Sequence, residues 1–260
     1  WKQLVMFAVP LMIGNIFQQF YNMTDMIVVG NFVGKEAVAA VGSTGTIINT
    51  LIGFFMGLSM GASVVVSQYY GAKDNRHVHD TVHTTLLITL FLSVIFAIVG
   101  YFTVPHMLRI MSTPEDVFNE ATLYLRIYFS GIIGLMLYNM GSGILRAVGN
   151  SRHPLYFLII SALLNVVLDL VFVIYFDLGV AGVAYATVIS QIISAALILL
   201  VLSRADGPYR IIWRDVRIDN QILRKILKVG FPSAVQLSLT AFSNVFVQSY
   251  INVFGSSCMA

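Results

Sequence analysis

Asp25 and Asp169 stand in stretches that otherwise carry no charge, residues 20–34 and 165–176. A bare charge at mid-bilayer costs from about 2.5 to well over 10 kcal/mol, so acids in such runs face a protein interior or a water cavity and mark sites of proton or ion chemistry. Asn165 precedes Asp169 by four residues, which puts amide and carboxylate on one helix face, able to share a proton or coordinate a small cation. Asp25 lies ten residues before Lys35 and Asp169 eight before Asp177. At about 1.5 Å per helical residue both acids sit roughly 12 to 15 Å below the same surface, a matched depth that permits one shared site.

The elements that must position these acids follow from composition. The chain is 58% hydrophobic and only 10% charged, against roughly 25% charged in soluble proteins, which excludes the soluble globular class. Its apolar runs reach or exceed the ~20 residues that span hydrocarbon and lack a barrel's alternation, so the expected fold is an all-α polytopic membrane bundle. Charge-poor stretches predict spans near 4–32, 37–70, 82–104, 119–147, 155–176 and 182–203, with a seventh beginning at about 222. A cytoplasmic N-terminus puts Lys2, Lys73, Arg76, Arg146, Arg152, Arg204, Arg210, Arg214, Arg217, Arg224, Lys225 and Lys228 on the inner side, 12 of the 15 basic residues. The sequence opens on Trp1 without a cleavable-signal layout, so the first span is expected to act as its own insertion signal.

The chain also resembles itself at an offset of 222. Val5-Met-Phe-Ala-Val-Pro10 falls opposite Leu227-Lys-Val-Gly-Phe-Pro232, Asn22 opposite Asn244, and Phe32-Val-Gly34 nearly opposite Val253-Phe-Gly255. Six spans between the copies is an even number, so both enter the membrane in the same direction, as in transporters with two parallel pseudo-symmetric halves. This predicts a six-span unit over 1–203, an inter-lobe linker over 204–221 and the first helix of a second lobe over 222–260, the rest of that lobe being a missing partner from the same polypeptide.

Other features have simpler readings. Gly53, Gly57 and Gly61 form a small-residue stripe that lets another helix approach closely or leaves room along a cavity wall. Pro10 can bend the first span. His77, His79 and His83 cluster after the second span, and the last two have metal-ligand spacing, but no Cys or HExxH motif accompanies them, so they read as interfacial histidines. Gly30-Asn-Phe-Val-Gly-Lys35 is one residue short of a phosphate loop and continues with Glu36; it reads as a turn outside the membrane. The single cysteine, Cys258, reads as packing. The basic run Arg204–Lys228 flanks two spans, which makes it an orientation signal and a membrane-lipid headgroup contact; no nucleic-acid partner is implied. The absence of GxSxG, zincin and Rossmann patterns gives an enzyme no support.

Taken in order, Phe7-Ala-Val-Pro10, Asn22-Met-Thr-Asp-Met-Ile-Val-Val-Gly30, Gly34-Lys-Glu-Ala-Val-Ala-Ala-Val-Gly42, Gln68-Tyr-Tyr-Gly-Ala-Lys-Asp74, Leu145-Arg-Ala-Val-Gly-Asn-Ser-Arg152, Asn165-Val-Val-Leu-Asp169 and Gly179-Val-Ala-Gly-Val-Ala-Tyr-Ala-Thr187 resemble the multidrug and toxic compound extrusion (MATE) family. The resemblance runs from end to end and is similar in wording to the bacterial branches. It implies two six-helix lobes around a central cavity that opens alternately to either side. It also implies an ion-binding role for Asp25, Asn165, Asp169 and Thr187, with Tyr21 and Tyr124 lining the cavity. The implied activity is antiport, in which H⁺ or Na⁺ entry through the bacterial inner membrane drives export of amphipathic, often cationic drugs, with no cofactor beyond the coupling ion. The alternatives are a lipid-linked oligosaccharide flippase of similar architecture, usually with a more basic cavity, and a channel or structural membrane protein.

Overall fold

The computed structural model describes residues 1–252; the side chains of residues 2–4, 21–22, 46, 241–242, 244–246 and 248–252 are outside the described set. Tyr21 as a side chain, Cys258 and the repeat segment 253–255 therefore lie outside the described residues. Within them the chain is helical throughout, with no strand. A backbone in hydrocarbon must satisfy its own hydrogen bonds, and helices do so within a single segment.

Helix α1 (Lys2–Phe32) runs on through Pro10. The chain reverses at Val33 and Gly34, and Gly34 takes φ +133°, a conformation that a side chain would strain. Helix α2 (Lys35–Gly71) follows, then α3 (Asn75–Ile110), whose first turn is capped by Asp74 accepting from the His77 N–H at 3.2 Å. That bond, first of all, holds the Asp74 carboxyl below the usual carboxylate range.

The expected single span over 119–147 is two helices, α4 (Glu115–Ser130) and α5 (Ile132–Ala147), bent by 50° at Gly131. A Cβ at Gly131 would overlap the Val188 side chain of α7, so only glycine lets the bend close against that helix. The apolar run conceals the break because hydropathy reports transfer into lipid and is blind to helix direction. Helix α6 (Arg152–Leu170) continues into a π-helical turn over Val171–Tyr175, where the Phe176 N–H reaches back to the Val171 carbonyl. Helix α7 (Gly179–Ser203), an irregular strap holding one 3-10 turn (Trp213–Asp215) and α8 (Asn220–Asn252) complete the described residues. Helices α2, α3, α6 with its π turn, and α7 are long and apolar enough to cross a membrane, and the α4–α5 pair adds a broken fifth. Large side chains such as Phe91, Phe102 and Leu163 stand exposed on them, as a lipid-facing surface requires.

Two apolar clusters hold the bundle together. One joins α1, α2, α4 and α7 through Val28, Phe55, Phe129 and Val183; the other joins α3, α5, α7 and the strap through Val82, Met140, Ile198 and Ile211. The glycine stripe of α2 lies against α8. A Cβ at Gly57 would overlap the Ala234 backbone, one at Gly61 would collide with Gly230, and one at Gly53 would rest 3.7 Å from the Leu237 Cβ. Close backbone approach, with its dense van der Waals contact, is therefore what the stripe provides. At the foot of this pair Lys225 donates to the Tyr69 hydroxyl at 2.5 Å.

Candidate acid-pair site

Four helices meet at the two acids. Asp25 occupies the last third of α1 on the face that carries buried Val28 and Val29, and α1 packs there on α6 and α7. Asp169 is the penultimate residue of α6, two residues before the π turn begins. Asp169 is fully buried and Asp25 is 7% exposed. Their carboxyl groups lie within electrostatic reach of each other, and two ionised carboxylates cannot hydrogen-bond because neither has a proton to donate. Without that proton, both oxygens of Asp169 and Oδ1 of Asp25 are buried with no donor in the protein. Among the described residues no Lys, Arg or His forms an ion pair with either acid.

Asn165 is fully buried one turn below Asp169, and neither its amide oxygen nor its amide nitrogen has a protein partner. Thr187 reaches the same place from α7 and is buried, its hydroxyl oxygen likewise without a well-formed bond. Tyr124 of α4 lies beside Thr187 and within electrostatic reach of both acids. The sequence-derived set Asp25, Asn165, Asp169, Thr187 and Tyr124 thus converges on one pocket.

Tyr128 escaped the sequence reading. It is buried one turn beyond Tyr124 with the two rings stacked at 6.4 Å, and it faces Gln191 of α7. A buried polar seam also continues from the pocket toward the opposite end of α6 and α7: Ser161 Oγ and Ser194 Oγ both donate to the Ser190 carbonyl at 3.0 Å. The signals were spacing alone, Tyr124/Tyr128 at four residues and Ser161/Asn165/Asp169 at successive fours. The histidine cluster, by contrast, is structural: His83 places one ring nitrogen 2.7 Å from the His79 carbonyl and the other 2.9 Å from the Ile212 N–H.

The family model MatE matches residues 10–171. The chain belongs to the MatE family. It is 33% identical over 267 residues to the probable multidrug resistance protein YoeA of Bacillus subtilis (strain 168), an alignment covering all of this chain and 58% of that protein. An inward-facing multidrug resistance MATE family transporter of the MOP superfamily superposes with a TM-score of 0.86 at 28% identity, over 97% of this chain and 58% of the other. An outward-facing transporter of the same description superposes with a TM-score of 0.85 at 30% identity, over 91% and 52%. The chain therefore spans a little over half the length of these relatives.

Proposed function

We propose that this MatE chain is the ion-binding lobe, with the first helix of the second lobe, of a cation-coupled exporter of amphipathic drugs. The observation that carries the reading is the acid pair: two adjacent buried carboxyls with no cationic side chain beside them and oxygens that the protein leaves without donors. Two neighbouring buried negative charges repel and are poorly solvated, so such a site favours uptake of a proton or a small cation. A proton taken up on one carboxyl creates the donor that the Asp25–Asp169 contact lacks. For Na⁺, Asp25, Asn165, Asp169 and Thr187 supply the oxygen ligands a hard cation prefers. Either ion joins α1 to α6 and α7 at the pocket, and its differential binding biases the balance between the two openings.

The relatives are named as multidrug resistance and multidrug export proteins, which supports drug export as the activity. The acidic pocket suits cationic amphipathic substrates better than the anionic headgroup of a lipid-linked oligosaccharide. Twelve of the 15 basic residues fall in segments on the same side of the membrane as the N-terminus, which orients that side toward the cytoplasm of the inner membrane. In this reading residues 1–203 belong to the first lobe and 204–221 to its linker, and 222–260 opens the second.

In the complete transporter, Asp25→Asn and Asp169→Asn are each expected to abolish drug export while membrane expression is retained. Asparagine keeps the volume and hydrogen bonding but cannot exchange a proton and binds a cation less well. Export at the unmodified rate in both variants overturns the reading. The same assay under an imposed pH gradient and then an imposed Na⁺ gradient identifies the coupling ion.

A further inference from the structure

The strap between α7 and α8 is fastened to the start of α3. Ile211 is buried, and its N–H donates to the Leu202 carbonyl at 3.0 Å. The Ile212 N–H donates to His83 at 2.9 Å, Arg217 donates to Asp80 at 3.2 Å, and the Asp219 N–H donates to the Thr84 hydroxyl at 3.0 Å. These anchors span residues 80–84 of α3, the turn in which its charged start, Asp74 to Asp80, gives way to a run without Asp, Glu, Lys or Arg that lasts until Arg109. The strap is thereby held at the level where a membrane-crossing helix passes from headgroups into hydrocarbon.

What the strap turns outward at that level is amphipathic. Ile212, Trp213 and Ile218 are 41%, 58% and 50% exposed, alongside exposed Arg210, Arg214 and Arg217. Ile211 fills the apolar contact with the bundle, and these three large side chains lie outside it. Tryptophan beside arginine is the composition of a membrane-water boundary, where the ring sits among headgroups and the guanidinium meets phosphate. Residues 204–228 hold seven basic side chains, Arg204, Arg210, Arg214, Arg217, Arg224, Lys225 and Lys228, against Asp206, Asp215 and Asp219, a balance of +4. A groove of about 340 Å³ opens between His79 and the segment Arg214 to Arg217. Arg217 is committed to Asp80 and His79 lies 3.7 Å from Asp215, whereas Arg214 forms no ion pair among the described residues.

We infer that this strap is a docking surface for anionic phospholipid, with Trp213 and Ile218 at the headgroup-acyl boundary and Arg214 on a lipid phosphate at the groove. The inference needs the family's membrane fold but no transport, so it stands or falls apart from the coupling mechanism.

The complete transporter is placed in vesicles containing brominated phosphatidylglycerol or, separately, brominated phosphatidylcholine, and tryptophan emission is compared with that of Trp213→Phe in the same lipids. Subtraction isolates Trp213 from any other tryptophan. The Trp213 signal is expected to be quenched about twofold more by the anionic lipid, and Arg214→Gln is expected to remove that preference while Arg214→Lys retains most of it. Both positions are exposed, so the fold tolerates the changes, and elution as a single species checks this. Quenching of Trp213 by aqueous iodide with none from either lipid overturns the inference and indicates solvent or a soluble partner. Equal quenching by both lipids overturns the anionic selectivity.

Discussion

Buried polar groups are handled in opposite ways at the two ends of this bundle. Around Asp25 and Asp169 the oxygens outnumber the donors, and carboxylate, amide and hydroxyl atoms are enclosed without partners. At the strap the pairing is nearly complete: both His83 nitrogens, the Asp80 carboxylate, the Thr84 hydroxyl and the Asp219 N–H each have a partner. A satisfied polar network fixes a geometry, while an unsatisfied one costs stability and persists where something else completes it. On the proposed reading, the contrast separates the part of the chain that binds and releases an ion from the part that holds its geometry.

The largest expected effect tests that separation with one chemical change at two places. Asp25→Asn or Asp169→Asn is expected to reduce drug export at least tenfold with little loss of folded protein, since the change removes proton exchange and weakens cation binding but leaves the volume. Asp80→Asn is expected to do the reverse. It breaks the pair with the largely exposed Arg217, costing about 1 kcal/mol or less, and leaves the response to an ion gradient unchanged. Thermal unfolding and gradient-driven export, measured on all three, check this; loss of ion response in Asp80→Asn breaks the comparison.

A cross-link experiment asks which contacts must part during transport. With Cys258 replaced by Ala, the pair Gly53→Cys and Leu237→Cys has a Cβ separation of 3.7 Å, inside the range of a disulfide. It joins α2 to α8 across the interface between the lobe and the second lobe's first helix. Oxidation of this pair is expected to stop export, whereas oxidation of Thr84→Cys with Asp219→Cys, across the strap anchor, is expected to leave it running after reduction and oxidation alike. Gradient-driven export before and after oxidant decides the matter, and continued export with the α2–α8 bond closed would show that this interface does not open.

How these two regions could be recognised from sequence differs for the same physical reason. Asp25 and Asp169 stood out because a charge in a hydrophobic run is locally anomalous, and Asn165 followed from helical spacing. Thr187 and Tyr124 are ordinary residues for a span and came only through family resemblance, while Tyr128 and Ser190 gave no signal beyond their spacing. The strap anchor was invisible: His83 and Ile212 are 129 residues apart, and no periodicity reports a bond between a histidine and a distant backbone. Gly131 was hidden likewise, because its need for a missing side chain is set by Val188 of another helix.

A smaller effect grades the pocket itself. Asn165→Ala and Thr187→Val each delete one uncharged oxygen ligand while retaining both acids, so each is expected to weaken ion binding by about tenfold, roughly one good polar interaction, and to leave maximal export at saturating ion nearly intact. The ion concentration giving half-maximal export measures this. A fall in the maximal rate without a change in that concentration would move the residue from the ion to the conformational step.

The smallest effect concerns acid and the strap. Asp219 caps α8, accepting from the Gln221 and Ile222 N–H groups at 2.8 and 3.0 Å. The Ile222 bond first, then the Gln221 bond and the charges of His77 and Arg217, hold its carboxyl below the ordinary value of 3.8. A carboxylate depressed by folding adds stability that is complete above its unfolded pKa and disappears as pH falls through the folded value. The difference in unfolding temperature between the parent and Asp219→Asn is therefore expected to stay constant from neutral pH down to about 5 and to close only below about 4. Any dependence of export on pH in the neutral range then belongs to other groups, and the carboxyl pair Asp25–Asp169 is tested for it directly, because Asp219→Asn should leave that profile where it was. A shifted neutral-range profile in Asp219→Asn would show that the cap of α8 and the acid pocket are energetically joined, and the division between a binding end and a holding end would fail.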